Sequence, residues 1–140
     1  PVPAHERALG ALAELEGSKL LETGLYEDYY VQLTEITKGY LEGRFGVEAL
    51  DRTTDELRRA LLREGAKVAP LQPTEVIAFL QACDLVKFAR LVPELEAARA
   101  DLERVRAIVE ASRPDRSQDA GSDGQEQKDS SAAAGEEAGR

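Results

Sequence analysis

Between residues 25 and 56, apolar side chains recur every three or four positions, which is the period of one face of an α-helix. The positions that follow this period are Tyr26, Tyr29, Tyr30, Leu33, Ile36, Thr37, Tyr40 and Leu41. The polar positions that fall mainly between them are Glu27, Asp28, Gln32, Glu35, Lys38 and Glu42. The pattern predicts a helix that buries its tyrosines and exposes its opposite face to water. Gly43 and Gly46 weaken helix propensity, so we expect the helix to end near 44–46.

Two further helices are predicted on either side of this tyrosine helix. The upstream helix spans about 4–16, on the spacing of Ala4, Ala8, Leu9, Leu12 and Leu15. Downstream, Thr53-Thr54-Asp55-Glu56 has the pattern of a capping box, in which the Thr53 hydroxyl and the Glu56 carboxylate each accept a backbone amide. A helix should start there and run through Leu57, Leu61 and Leu62 to a cap at Gly65.

Two prolines mark the starts of the last two predicted helices. Pro73 is acceptable in a first helical turn. The apolar positions that follow it are Val76, Ile77, Phe79, Leu80 and Cys83, extended by Leu85, Val86 and Phe88. After Pro93, steps of three and four connect Leu95, Ala98, Leu102, Val105 and Val109. Such a seam packs against other helices.

These elements predict an all-α protein, a compact bundle of about five helices over residues 1–112. From Arg113 onward the sequence has no large apolar residue and is rich in Ser, Gly, Asp, Glu and Gln. Such a segment cannot bury enough surface to offset its ordering entropy. Residues 113–140 are therefore predicted to be a disordered acidic tail.

Charge and composition restrict the possible partners and compartment. The chain has 140 residues and a net charge of −9, and an acidic field of this size repels phosphate backbones and anionic lipids. The single cysteine, Cys83, fits a reducing compartment. No apolar run is long enough to span a bilayer. Because the chain contains no methionine, we expect it to be a piece of a longer protein.

Reactive residue types are sparse. His5 is the only histidine and sits in a first turn that we expect to fray, which is a poor place to hold a catalytic base. Cys83 has no CxxC partner and the chain has no second histidine, which argues against a structural zinc site, and the spacing of Cys83 from Phe79 and Leu80 predicts an ordinary buried thiol. Carboxylates such as Glu94, Glu96, Asp101 and Glu103 alternate with Arg and Ala on a predicted solvent face. We therefore predict no catalytic residue, no metal and no cofactor.

Residues 84–90 contain the candidate binding surface. Apolar and charged residues alternate there too densely for one clean helical face. Either Phe88 closes the core, or this turn and the tyrosine helix form a docking surface for a partner protein. In the second interpretation the interacting residues are Asp84, Val86, Lys87, Phe88 and Arg90. The segment from Thr53 to Phe79 also permits a helix-turn-helix, although a basic second helix for DNA readout is missing.

Four blocks of sequence resemble a known family. They are 29-YYVQLTEI-36, 40-YLEGRFGVEA-49, 53-TTDEL-57 and 83-CDLVKFA-89. Together they resemble the cytosolic helical region of Bat-type, or aerotolerance-type, bacterial membrane proteins. Proteins of this kind are encoded beside MoxR-type AAA+ ATPases and von Willebrand factor A domain proteins. The resemblance covers residues 5 to 112 and excludes the tail.

The resemblance implies a cytosolic domain on the inner face of the bacterial inner membrane, behind a transmembrane helix upstream of this chain. It implies an AAA+ ATPase or a von Willebrand factor A protein as partner, and no catalytic residue. Alternatives are an acidic regulatory domain of the helix-turn-helix type and an accessory domain of an enzyme. Within the matching blocks, Arg44 and Lys87 are predicted to pair with Asp84 or Glu56 as internal locks.

Overall fold

The computed structural model describes residues 1–114, and every regular element within them is a helix. The five α-helices are α1 (Ala4–Glu16), α2 (Tyr26–Phe45), α3 (Thr54–Glu64), α4 (Pro73–Phe88) and α5 (Leu95–Ser112). A short 3₁₀ helix, Gly65–Val68, connects α3 to α4. The predicted all-α class and its five helices are confirmed. The predicted tail lies outside the described residues from residue 115 onward.

Packing divides the chain into two units, Pro1–Val109 and Glu110–Arg140, so that the boundary falls within α5. The first unit contains α1 to α4 and most of α5. In the second unit, the described residues complete α5, and Arg113 Nη1 lies 3.2 Å from Glu110 Oε1.

The predicted caps fix the start of α3 and the end of α2. Thr53 Oγ1 accepts the Glu56 amide at 3.1 Å, and Glu56 Oε1 accepts the Thr53 amide at 3.0 Å. Gly46 has φ of 71°, a left-handed conformation that glycine adopts without strain, and its N–H bonds to the Glu42 carbonyl. Gly65 is the C-cap of α3, as predicted; its φ is −59°, because the chain continues directly into the 3₁₀ helix.

The tyrosines of α2 connect it to α5. Tyr29, Tyr30 and Tyr40 are each at most 2% exposed. Their hydroxyls donate to α5 at three levels: to the Ala98 carbonyl at 3.2 Å, to the Asp101 carboxylate at 2.5 Å and to the Val109 carbonyl at 3.4 Å. A buried tyrosine therefore contributes ring area to the core and satisfies its hydroxyl on the neighbouring helix.

The remaining helices complete the core around α2. Helix α2 packs against α1 and α4, and α3 packs against α4. The predicted seam of α5 is buried at Ala98, Leu102, Val105 and Val109. Leu95, at the start of the seam, is 37% exposed because it precedes the region where α5 meets the tyrosines.

One part of the predicted wet face of α2 is wrong. Lys38 is only 7% exposed, and its Nζ donates to the Arg52 carbonyl at 2.6 Å. Burial, with Lys87 nearby, lowers the pKa of the Lys38 amine. The reason is the loop between α2 and α3, which folds back along α2. Glu42 holds the same loop by accepting the Ala49 and Leu50 amides at 2.9 and 2.8 Å, and these bonds lower the pKa of its carboxyl.

Candidate functional site

The end of α4 positions the residues of the candidate surface. The helix ends at Phe88, and the Leu85 carbonyl accepts the amides of both Ala89 and Leu91 at 3.1 Å. Between them Arg90 has φ of 61°, the left-handed region that costs a residue with a Cβ about 1 kcal/mol. This closure turns the chain sharply, so that residues 89–94 form a connection outside the helical period.

The five residues predicted for the surface occupy different environments. Phe88 is 75% exposed and Arg90 is also exposed, whereas Val86 is buried at 3%. Lys87 and Asp84 are half-buried and form an ion pair at 3.8 Å, with Lys87 Nζ 4.8 Å from the centre of the Phe88 ring. The alternative in which Phe88 closes the core is therefore wrong, and Val86 is the residue of this segment that packs inward.

Of the predicted internal locks, the structure contains the pair between Lys87 and Asp84. Glu56 instead closes the capping box with Thr53. The guanidinium of Arg44 lies 4.7 Å from the centre of the Phe45 ring.

Exposed apolar side chains continue from Phe88 into the connection and the start of α5. We call the set Leu85, Phe88, Leu91, Val92 and Leu95 the α4–α5 patch; their exposed fractions are 51, 75, 50, 71 and 37%. Within residues 1–114 these are five of the ten exposed large apolar residues. Sequence reasoning did not assign Leu91 and Val92, although a Leu-Val pair directly before Pro93 and outside any helical period was the available signal.

A groove adjoins the α4–α5 patch. It has a volume of about 330 Å³, and it is lined by Leu25 and Tyr26 at the start of α2 together with Leu91 and Val92. Val86 and Arg90 also line it. The apolar surface of the patch thus continues into a concave site, the form that binding pockets for apolar side chains take.

Acidic residues lie beside the groove and at the start of α5. Glu27 and Asp28 line the groove, and Glu94 and Glu96 flank Leu95. All four are exposed, and none forms an ion pair with another residue of the described chain. We call these four carboxylates the acidic rim. Arg90 lines the groove, and Arg99 lies one helical turn after Glu96 on α5, whereas Lys87 is engaged by Asp84.

A larger cavity of about 530 Å³ lies between the connection from α1 to α2 and helix α5. Leu15, Leu21 and Leu102 give it an apolar floor, and Glu16, Glu96 and Glu103 are among its charged walls. Glu16 and Glu103 are both engaged by Arg106. Tyr29 also lines it, and burial together with the charges of Asp101 and Glu16 raises the pKa of this phenol to about 12. Its walls are therefore occupied mainly by structural interactions.

The two residues of reactive type, Cys83 and His5, are both buried in the fold. Cys83 is fully buried, and burial raises the pKa of its thiol to about 12, so it stays protonated at neutral pH. His5 is only 7% exposed within α1, which contradicts the expectation of a frayed first turn. Residues 1–114 contain no cluster of His, Cys, Asp or Glu suited to a metal ion.

No protein-family model, curated protein or solved structure matches the chain. Among the described helices, none combines the length and the apolar character needed to cross a membrane.

Proposed function

We propose that the chain is a non-catalytic protein-interaction module, the cytosolic domain of a bacterial membrane-anchored protein that works with a MoxR-type AAA+ ATPase system. The observation that carries the proposal is the α4–α5 patch. Soluble domains seldom expose large apolar side chains contiguously, and where they do, the surface commonly binds another protein. The resemblance of the four sequence blocks supplies the class of partner, an AAA+ ATPase or a von Willebrand factor A protein.

The position of Phe88 supports this interpretation energetically. Burying a phenylalanine stabilises a fold by roughly 1.5–3 kcal/mol, and Phe88 forgoes most of that contribution. Its neighbour Arg90 keeps a side chain at a left-handed backbone position that glycine would occupy without strain. Aromatic residues and arginine are also the types that dominate binding energy at protein interfaces.

Of the four blocks that carry the resemblance, some stabilise the fold and one exposes apolar side chains at the surface. Tyr29, Tyr30 and Tyr40 attach α5, and the 53–57 block caps α3. Among the large apolar residues of the blocks, Leu85 and Phe88 are half or more exposed. The other blocks have a structural explanation, so the 83–89 block is the part available to a partner.

The test is affinity capture from the source cell with the full chain as bait, followed by mass spectrometry. We expect an AAA+ ATPase or a von Willebrand factor A protein to be recovered by the unmodified chain and lost with Phe88→Ala/Val92→Ala. Leu62→Ala is the matched control, because Leu62 is 71% exposed on α3 outside the patch. Equal recovery by the patch variant and the control would refute the proposed docking surface.

A further inference from the structure

We infer that the partner segment bound by the α4–α5 patch is a basic amphipathic helix, whose apolar face covers the patch and whose Lys or Arg residues meet the acidic rim. The inference rests on the proposed function and specifies the chemistry of its partner. It follows from three properties of this surface: its apolar extent, the charge of its rim and the composition of the rest of the chain.

The shape of the surface favours an apolar helical face as its occupant. The patch runs from Leu85 on the last turn of α4 to Leu95 on the first turn of α5 and continues into the groove beside Leu25. A helix that binds in a groove presents side chains at spacings of three and four, which suits a row of several separate apolar contacts. The patch thus offers more apolar positions than a single inserted side chain would cover.

The charge of the surface favours a basic partner. The acidic rim holds four carboxylates without an ion pair in the described chain, against the two guanidinium groups of Arg90 and Arg99. The chain as a whole carries a net charge of −9. An acidic field attracts a basic segment during encounter and penalises an acidic one.

Two other occupants fit the surface less well. Residues 115–140 contain no Leu, Ile, Val, Phe or Tyr, so the chain's own C-terminal segment lacks an apolar face to place there. A second copy of the chain would bring a second acidic rim against the first, and like charges across an interface oppose association. A basic amphipathic helix offers an apolar face to the patch and positive charges to the acidic rim.

The test uses two designed peptides of roughly 18 residues, about five helical turns, with one apolar Leu face. The first peptide carries Lys on its polar face, and the second carries Glu at the same positions. Binding of each labelled peptide to the full chain is measured by fluorescence anisotropy. We expect the Lys peptide to bind at least about tenfold more tightly than the Glu peptide, and its affinity to fall as salt is raised from about 50 to about 500 mM.

Variants assign the binding to this surface. Phe88→Ala/Val92→Ala should weaken the Lys peptide about tenfold or more, and Glu94→Gln/Glu96→Gln should reduce the preference for Lys over Glu. Leu62→Ala and Glu75→Gln are the matched controls and should bind like the unmodified chain, since both residues are exposed away from the patch. Circular dichroism melts confirm that each variant is folded.

The outcomes separate this inference from the proposed function. If the Lys peptide does not bind, or if both peptides bind equally, the inference of a basic helix is refuted. If the protein partner is still captured in that case, the proposed function is retained. A dimer seen by sedimentation equilibrium and abolished by Phe88→Ala/Val92→Ala would identify a second copy as the occupant and also overturn the inference. If the patch variant changes neither peptide binding nor partner capture, both proposals fail.

Discussion

Two glycines on one face of α2 should respond differently to the same substitution. Gly39 and Gly43 lie one helical turn apart within α2. A Cβ added at Gly39 meets no heavy atom within 4 Å, whereas one added at Gly43 would lie 2.9 Å from the Ala4 Cβ of α1. Helix α1 therefore approaches α2 at Gly43 so closely that a Cβ there would force Ala4 to shift.

The structure sets the size of each effect. In a helix interior, alanine is more stable than glycine by about 1 kcal/mol. Gly39→Ala should gain this amount. Gly43→Ala gains the same propensity but compresses a contact whose ordinary length is about 3.5–4 Å, and overpacking of this kind costs about 1–3 kcal/mol. The two variants should therefore differ by about 1–3 kcal/mol in the free energy of unfolding, which corresponds to roughly 4 °C in Tm per kcal/mol.

The assay is urea unfolding followed by circular dichroism, with thermal melts of the same samples. A third variant, Ala4→Gly/Gly43→Ala, removes the Cβ that opposes residue 43. Its free energy of unfolding should be higher than the sum of the effects of Ala4→Gly and Gly43→Ala predicts, which a double-mutant cycle measures. If Gly43→Ala is as stabilising as Gly39→Ala, the close approach of α1 to α2 is not present in solution and the reasoning is refuted.

Two further predictions concern the candidate surface and the core. Arg90→Gly should raise the free energy of unfolding by about 0.5–1 kcal/mol, because glycine accepts φ of 61° without strain; a lower urea midpoint at unchanged m would contradict this. At alkaline pH the stability should fall, since burial raises the pKa of the Cys83 thiol from 9.0 to about 12. A group whose pKa is higher in the folded than in the unfolded state stabilises the fold fully at pH values below its unfolded pKa. This contribution is lost as the pH rises toward the folded pKa, at up to about 1.4 kcal/mol per pH unit. Cys83→Ala should therefore flatten the decline between pH 9 and pH 10, measured as urea midpoints, relative to the unmodified chain. Lys38, whose lowered pKa acts in the opposite direction, is present in both proteins and cancels in the comparison. Parallel curves for the two proteins would show that the thiol does not ionise on unfolding.

The sequence by itself determined the local elements of this protein. The Thr53 capping box and the glycine after α2 specify helix ends through bonds between near neighbours. Pro73 at the start of α4 and Pro93 before α5 do so through their fixed φ and missing N–H. The spacing of the tyrosines likewise selects the buried face of α2, because a helical period is a property of consecutive residues. The all-α class follows from these signals together.

Only the tertiary structure decided which side of each local pattern the neighbouring segments would cover. Lys38 is buried because the loop from 46 to 53 returns over it, and Gly43 is needed because α1 crosses α2 there. Leu62 and Phe88 continue apolar runs in the sequence, yet no described element packs over either side chain, and they are 71% and 75% exposed. Such contacts join residues distant in the chain, so local spacing carries no information about them. The exposure of the α4–α5 patch is a tertiary property in the same sense, since it depends on no distant element packing over these five side chains.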